Sequence, residues 1–314
     1  MKLVIGIYLL FPVLLFGQEQ PIDKSIYNFT PEFFEKQIFA HRGGYSYGPE
    51  NTLQTILFNI ANNINCVEID IRMTKDNELV VFHDETIERV LECESPKKIS
   101  EITLPELKTY PFRNKQFGQI YITTFQELVD TLTALIPRRK MNFLLELDWK
   151  PSGDDNKIAI QKLKSMVAEK EKIFGDGLFN YFYLTTFYPD VLKLVKKEIP
   201  KIKRGFAIIE SPAKHKFSAK LARMLANHFV KKYDVSVIEP SLCLVSEKFV
   251  KKWHRRKIMI NAYTANSNCE KNYLTKLGVA YATNCPGSNC YGDESDMMGK
   301  PTKWCKSCIG HEFE

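Results

Sequence analysis

The chain has 314 residues, 44% of them hydrophobic and 12% aromatic, and a formal net charge of +7 at pH 7. That length suits one large α/β domain, and that composition excludes a disordered or fibrous chain. The basic residues are spread, with a denser region from Lys196 to Lys232. This reads first as a solvated face and second as a transient contact with an anionic membrane surface. No interleaved basic and aromatic module is present, so no nucleic-acid partner is expected.

Residues 1–17 read as a secretory signal. Lys2 precedes an apolar run from Leu3 to Phe16, and small Gly17 stands before Gln18. The run is short for a membrane span, which takes about 20 residues. The expectation is a secreted, periplasmic or extracellular protein with three segments: the signal (1–17), a catalytic-type domain (18–287) and a cysteine-bearing tail (288–314). Four of the eight cysteines (285, 290, 305 and 308) crowd the end of the chain. In an exported protein they favour disulfides over zinc, with the pairing left open.

In chain order, Ile38–Ala40 reads as a first strand ending at His41-Arg42-Gly43-Gly44. Leu53, Ile56, Leu57, Ile60 and Ile64 then recur at helical spacing. Cys66–Arg72 is the second strand. Leu79–Phe82 is strand-like too, but only about seven residues intervene, and a parallel crossover needs a dozen or more. With turn residues at Lys75–Glu78, the pair reads as a hairpin-like extension outside the main sheet. Thr123–Val129 opens a capped helix. Further strands are expected at 142–149, 181–187, 204–209, 235–238, 257–263 and 279–283. The helices between them are expected at 156–174, 189–198, 216–232, 246–255 and 269–277. Eight strands with mostly helical connections predict a TIM-type (β/α)8 barrel with a short C-terminal tail.

In such a barrel the chemistry gathers at the C-terminal strand ends. His41 ends the first strand. Glu68 and Asp70 share one face of the second by alternation, as do Glu146, Asp148 and Lys150 on the third. Paired like charges call for a cation between them, and carboxylate oxygens suit a hard divalent ion. A lysine beside such an ion suits an anionic substrate. Two histidines, His41 and His83, can then move protons.

These residues carry a resemblance. The ordered set His41-Arg42-Gly43, Pro49-Glu50-Asn51-Thr52, Glu68-Ile69-Asp70, Asp76-Asn77, His83-Asp84 and Asp148-Trp149-Lys150 resembles the glycerophosphodiester phosphodiesterase family, within the phospholipase-C-like phosphodiesterase barrels. Tyr263-Thr264-Ala265-Asn266 and Thr283-Asn284-Cys285-Pro286 extend the likeness, which covers about residues 37–287. The resemblance implies His41 and His83 as the acid–base pair. It implies Glu68, Asp70 and Asp148 as ligands of one divalent cation, Mg or Ca. It also implies Arg42 and Lys150 as phosphate contacts, with Tyr263 near the substrate in place of the usual tryptophan. Glu146 competes with Asp148 for the third ligand position, and Asp148 is preferred because Lys150-Pro151 then falls where the family often has K-P.

The implied activity is metal-dependent hydrolysis of a small or lipid-derived glycerophosphodiester to glycerol 3-phosphate and an alcohol. Two other readings stand beside it. One is a phospholipase-D-like enzyme acting on lysophospholipid or sphingomyelin, which resembles the same barrel. The other is an inactive barrel that binds phosphodiesters without turnover.

Overall fold

The structure, a computed structural model, describes residues 29–139, 144–151, 153–209, 224 and 226–287. The expected signal (1–17), the tail (288–314) and part of the lysine-rich helix (216–232) lie outside the described residues. Cys290, Cys305 and Cys308 therefore lie outside them as well, while Cys66, Cys93 and Cys269 are free thiols.

Eight parallel strands close a barrel. These are β1 (Ile38–Ala40), β2 (Cys66–Met73), β4 (Leu144–Trp149), β5 (Phe182–Thr186), β6 (Lys203–Ile208), β7 (Val235–Pro240), β8 (Met259–Ala262) and β9 (Ala280–Thr283). β1 pairs with both β9 and β2, which closes the ring. The remaining strand, β3 (Leu79–Val81), runs antiparallel to β2, with Ile71 opposite Val81. The hairpin expected from the short spacing is thus present, and β3 stands outside the barrel ring.

Because strand residues alternate faces, each barrel strand carries two programmes. On β2, Val67, Ile69 and Ile71 pack outward into the core under the helices, whereas Cys66 joins the cluster inside the barrel. Glu68 and Asp70 follow Cys66 on that inner face. β4 repeats the pattern: Leu145, Leu147 and Trp149 face the helices, and Leu144 faces inward, followed by Glu146 and Asp148. Glu68 pairs in register with Glu146, and Asp70 with Asp148. The interior is therefore apolar at its base and acidic toward the C-terminal end.

An aromatic plug closes the base. Thr30 caps the short helix Pro31–Phe34 by accepting from Phe33 N at 3.3 Å. That turn aims Phe34, fully buried, at Phe39 and Tyr183, with ring centroids 5.4 and 6.0 Å away. Fully burying such a side chain contributes roughly 1.5–3 kcal/mol.

The outer helices follow their sequence signals. Thr124 and Glu127 form a capping box for Phe125–Arg139: Glu127 N donates to Thr124 Oγ1 at 3.1 Å, and Thr124 N to Glu127 Oε2 at 2.8 Å. A separate apolar cluster that includes Val80, Phe82, Ile87, Leu91, Ile99 and Phe112 anchors the long excursion between β3 and that helix. This excursion lies beside the mouth of the barrel and carries His83.

Candidate active site

The site begins with a forced turn after β1. Arg42, Gly43 and Gly44 have φ of 51°, 79° and 78°, three left-handed residues in a row. Two glycines adopt this without penalty, but Arg42 is strained there. A Cβ on Gly44 would also lie 2.7 Å from Asn59 Nδ2, whose amide donates to Gly43 O at 2.7 Å. The turn aims the Arg42 backbone N–H at Glu68 Oε2, 2.6 Å away.

Glu68, Asp70 and Asp148 each offer a carboxylate oxygen, all within 4.8 Å of one another. Asn51 holds Asp70 from both sides: its Nδ2 donates to Asp70 Oδ2 at 2.8 Å and its Oδ1 accepts from Asp70 N at 3.2 Å. Lys150 Nζ bridges the two strands, donating to Asp148 Oδ2 at 2.6 Å and lying 3.0 Å from Asp70 Oδ1. Arg42 Nε lies 3.9 Å from Asp70 Oδ2.

The charges respond unequally. Burial pushes Glu68 up, and the neighbouring Asp70, Glu146 and Asp148 push it further. Burial also raises Asp148 against the pull of Lys150. At Asp70 burial opposes ionisation, but Lys150, His83 and Arg42 together hold it below the usual carboxylate range. Asp148 Oδ1 is buried with no hydrogen-bond partner. Three converging carboxylates, two of them disfavoured as anions and one with an orphaned oxygen, fit a hard divalent cation with an all-oxygen donor set.

The two histidines flank this triad. His41 Nε2 is 4.0 Å from Glu68 Oε2, and its Nδ1 donates to Asn284 Oδ1 at 2.7 Å. Burial, with Arg42 beside it, lowers His41 to about 4. It is therefore neutral near pH 7, with Nε2 unprotonated and turned to the triad. His83 Nδ1 donates to Asp84 Oδ1 at 2.6 Å, which leaves its Nε2 for the site. The His83 carbonyl accepts from Arg72 Nε at 2.7 Å, which holds the backbone in place.

Tyr263 lines the same cavity as His41, Glu68 and Asp148. Its hydroxyl donates to Ile208 O at 3.1 Å, and its ring stands edge-on to Phe187 at 6.2 Å. It forms an apolar wall and does not offer its hydroxyl to the triad.

His41, Arg42, Glu68, Asp70, His83, Asp148, Lys150 and Tyr263 thus gather at one mouth, whereas Glu146, the rival for the third ligand position, lies deeper. Of the two acids weighed for the third position, Asp148 lies with Glu68 and Asp70 in the carboxylate group. Glu146 is held where Tyr183 Oη and Asn261 Nδ2 donate to its Oε2 at 2.6 and 2.7 Å. Glu239, which the sequence reading passed over, lies beside it, and Thr185 Oγ1 donates to it at 2.7 Å. Burial raises Glu239 to about 8. The available signal was an acidic residue just after Ile238, on a strand expected to stop there. Asn51 and Asn284 were visible inside quoted motifs, but their partners were not.

Comparison with known proteins bears on this geometry. Residues 41–283 match the model of the glycerophosphoryl diester phosphodiesterase family. Over 275 residues the chain is 24% identical to glycerophosphodiester phosphodiesterase 1 of Mus musculus, covering 80% of this chain and 78% of that protein. A match to the Bacillus subtilis protein YhdW is 34% identical over 118 residues and spans 37% of this chain and 46% of that protein. Among solved structures, an Oleispira antarctica phosphodiesterase in complex with the product sn-glycerol-3-phosphate superposes with a TM-score of 0.66. It is 20% identical, and the match covers 82% of this chain and 96% of that one.

Proposed function

We propose, from the premise that this chain belongs to the glycerophosphoryl diester phosphodiesterase family and is a phosphoric diester hydrolase, a metal-assisted acid–base mechanism for its hydrolysis of glycerophosphodiesters. The observation that carries the proposal is the placing of His41, whose Nδ1 is held by Asn284 and whose Nε2 lies 4.0 Å from Glu68 of the carboxylate triad. Glu68, Asp70 and Asp148 would hold one divalent cation, Mg or Ca, which when bound supplies Lewis-acid polarisation of the phosphoryl group.

The chain's own groups do the rest. Arg42 and Lys150 present fixed positive charge to the phosphodiester and orient it. His41 Nε2 takes the proton of the attacking hydroxyl, either of water or of a neighbouring hydroxyl on the substrate; in the second case water opens the resulting cyclic phosphate in a further step, with the two histidines exchanging roles. His83, its ring fixed by Asp84, delivers a proton from Nε2 to the departing alcohol oxygen. Proton transfer by each such group is worth about 10²–10⁴-fold. Phe187 and Tyr263 wall the cavity and exclude water on that side.

The test is hydrolysis of glycerophosphocholine and related diesters with Mg²⁺, with Ca²⁺ and with chelator. Activity is expected to vanish with chelator, and His41→Ala and His83→Ala are each expected to lower kcat by about 10²–10⁴-fold. Full activity in either variant would sink the acid–base assignment. Release of choline from intact lysolipid with no action on deacylated diesters would favour the phospholipase-D-like reading instead. We also propose export directed by residues 1–17. It predicts a secreted chain lacking that segment by mass spectrometry, and retention of the intact N-terminus would overturn it.

A further inference from the structure

Arg89 lies in the excursion after β3, six residues past His83, and one guanidinium grips two carboxylates. Its Nε donates to Asp84 Oδ2. Its Nη1 and Nη2 donate to Glu50 Oε2 and Oε1 at 2.9 and 2.5 Å. Each carboxylate has a second partner that belongs to the site. Asp84 Oδ1 accepts from His83 Nδ1 at 2.6 Å, and Glu50 Oε1 accepts from Arg42 Nη1 at 3.2 Å. His83 follows β3, whereas Arg42 and Glu50 follow β1. The guanidinium is thus the point at which these two loops meet.

We propose that Arg89 is a positioning residue that sets the proton-donating His83 and the phosphate-orienting Arg42 in one common frame. The roles of those two residues rest on the reading under Proposed function. A carboxylate shared between a guanidinium and a second donor has little freedom to rotate, so the ring or fork on its far side inherits that order. The planar fork matters, because five donors at fixed angles can serve Asp84 and Glu50 together. A lysine ammonium is a point charge with no such fork.

The rival explanation is that Arg89 merely fastens its loop. Arg113 provides the control. It fastens the same loop through backbone carbonyls, with Nε donating to Glu88 O at 2.9 Å and Nη2 to Cys93 O at 2.6 Å. It touches neither carboxylate in those bonds.

The experiment compares Arg89→Ala, Arg89→Lys, Arg113→Ala, Asp84→Asn and Glu50→Gln in the full chain. The readouts are steady-state kinetics on a glycerophosphodiester, melting temperature, and ¹⁵N shifts of the His83 ring. Asp84→Asn is expected to act mainly on kcat and Glu50→Gln mainly on KM. Arg89→Ala is expected to do both, with kcat lower by about 10–100-fold, the range for loss of a partner that orients a site residue. The Arg89 side chain is 47% exposed, so added guanidinium ion has a route to the gap and is expected to restore much of the lost kcat in Arg89→Ala. Arg89→Lys is expected to recover less than the rescued alanine variant.

The proposal fails if Arg89→Ala stays within about twofold of wild type, well below the orienting range. It also fails if Arg113→Ala reproduces the same kinetic pattern and the same His83 shifts. The ring shifts need no turnover. A wild-type protein without diesterase activity would therefore overturn the functional reading, while His83 ring shifts unchanged in Arg89→Ala would overturn this one.

Discussion

Two carboxylate groups lie inside this barrel, and they meet different partners. The upper group, Glu68, Asp70 and Asp148, faces the cations Arg42 and Lys150. The lower group, Glu146 and Glu239, faces the neutral donors Tyr183, Asn261 and Thr185. With Lys150, His83 and Arg42 beside it, Asp70 alone of the upper three stays below the usual carboxylate range despite full burial, while Glu68 and Asp148 are raised. In the lower group, burial keeps Glu146 well above that range and Glu239 near 8. Along β4 alone, the step from Glu146 to Asp148, about 6.6 Å, leads from neutral hydrogen-bond donors to a carboxylate paired with Lys150. Both groups are carboxylates; the partners differ, cations above and neutral donors below.

The sharpest way to break this contrast is a metal titration of Asp148→Ala against Glu146→Gln by calorimetry. Asp148→Ala is expected to weaken Mg²⁺ or Ca²⁺ by more than about 100-fold, beyond the loss of an outer-shell partner, while Glu146→Gln stays within about tenfold. The reverse order would make Glu146 the third ligand.

His41 gives a smaller effect with a defined sign. Its folded value, about 4, lies below its ordinary 6.5, so the unfolded chain binds more protons between those values. Stability therefore rises with pH across that window and falls as pH drops from 6.5 toward 4. With chelator present, urea unfolding at pH 7 and pH 5 is expected to show wild type losing about 2 kcal/mol more than His41→Asn.

Glu239 has the opposite sign. Its folded value, about 8, lies above its ordinary 4.5, so the native state holds the proton more tightly and stability falls as pH rises through that window. Glu239→Gln keeps the neutral shape, and its stability at pH 7 is expected within about 1 kcal/mol of wild type. Between pH 7 and pH 9 wild type is expected to lose about 1 kcal/mol more than the variant. An equal loss in both would mean that Glu239 is already ionised, and that the contrast between the two groups fails.

Much of this was legible in the chain because it depends on short-range rules. The alternation in the expected strand Cys66–Arg72 placed Glu68 and Asp70 on one face. The short Arg72-to-Leu79 spacing excluded a parallel crossover and brought His83 back over the strand end as part of a hairpin. The glycines after Arg42 announced the turn that aims its backbone at Glu68. Strand ends were the least legible: β7 runs on to Pro240, past the expected stop at Ile238, and that extension carries Glu239.

The sequence by itself determined the strand–helix rhythm, the faces and the residues of the mouth, because period, turn chemistry and spacing are properties of neighbours. Tertiary structure alone decided which acid joins which group, and which distant residues complete the site. Asn284 reaches His41 across 243 positions because the ring closes β9 against β1. Asn261 reaches Glu146 across 115 because opposite walls of a barrel meet in its interior. Such pairings follow from closure of the ring, and no local pattern in the chain encodes them.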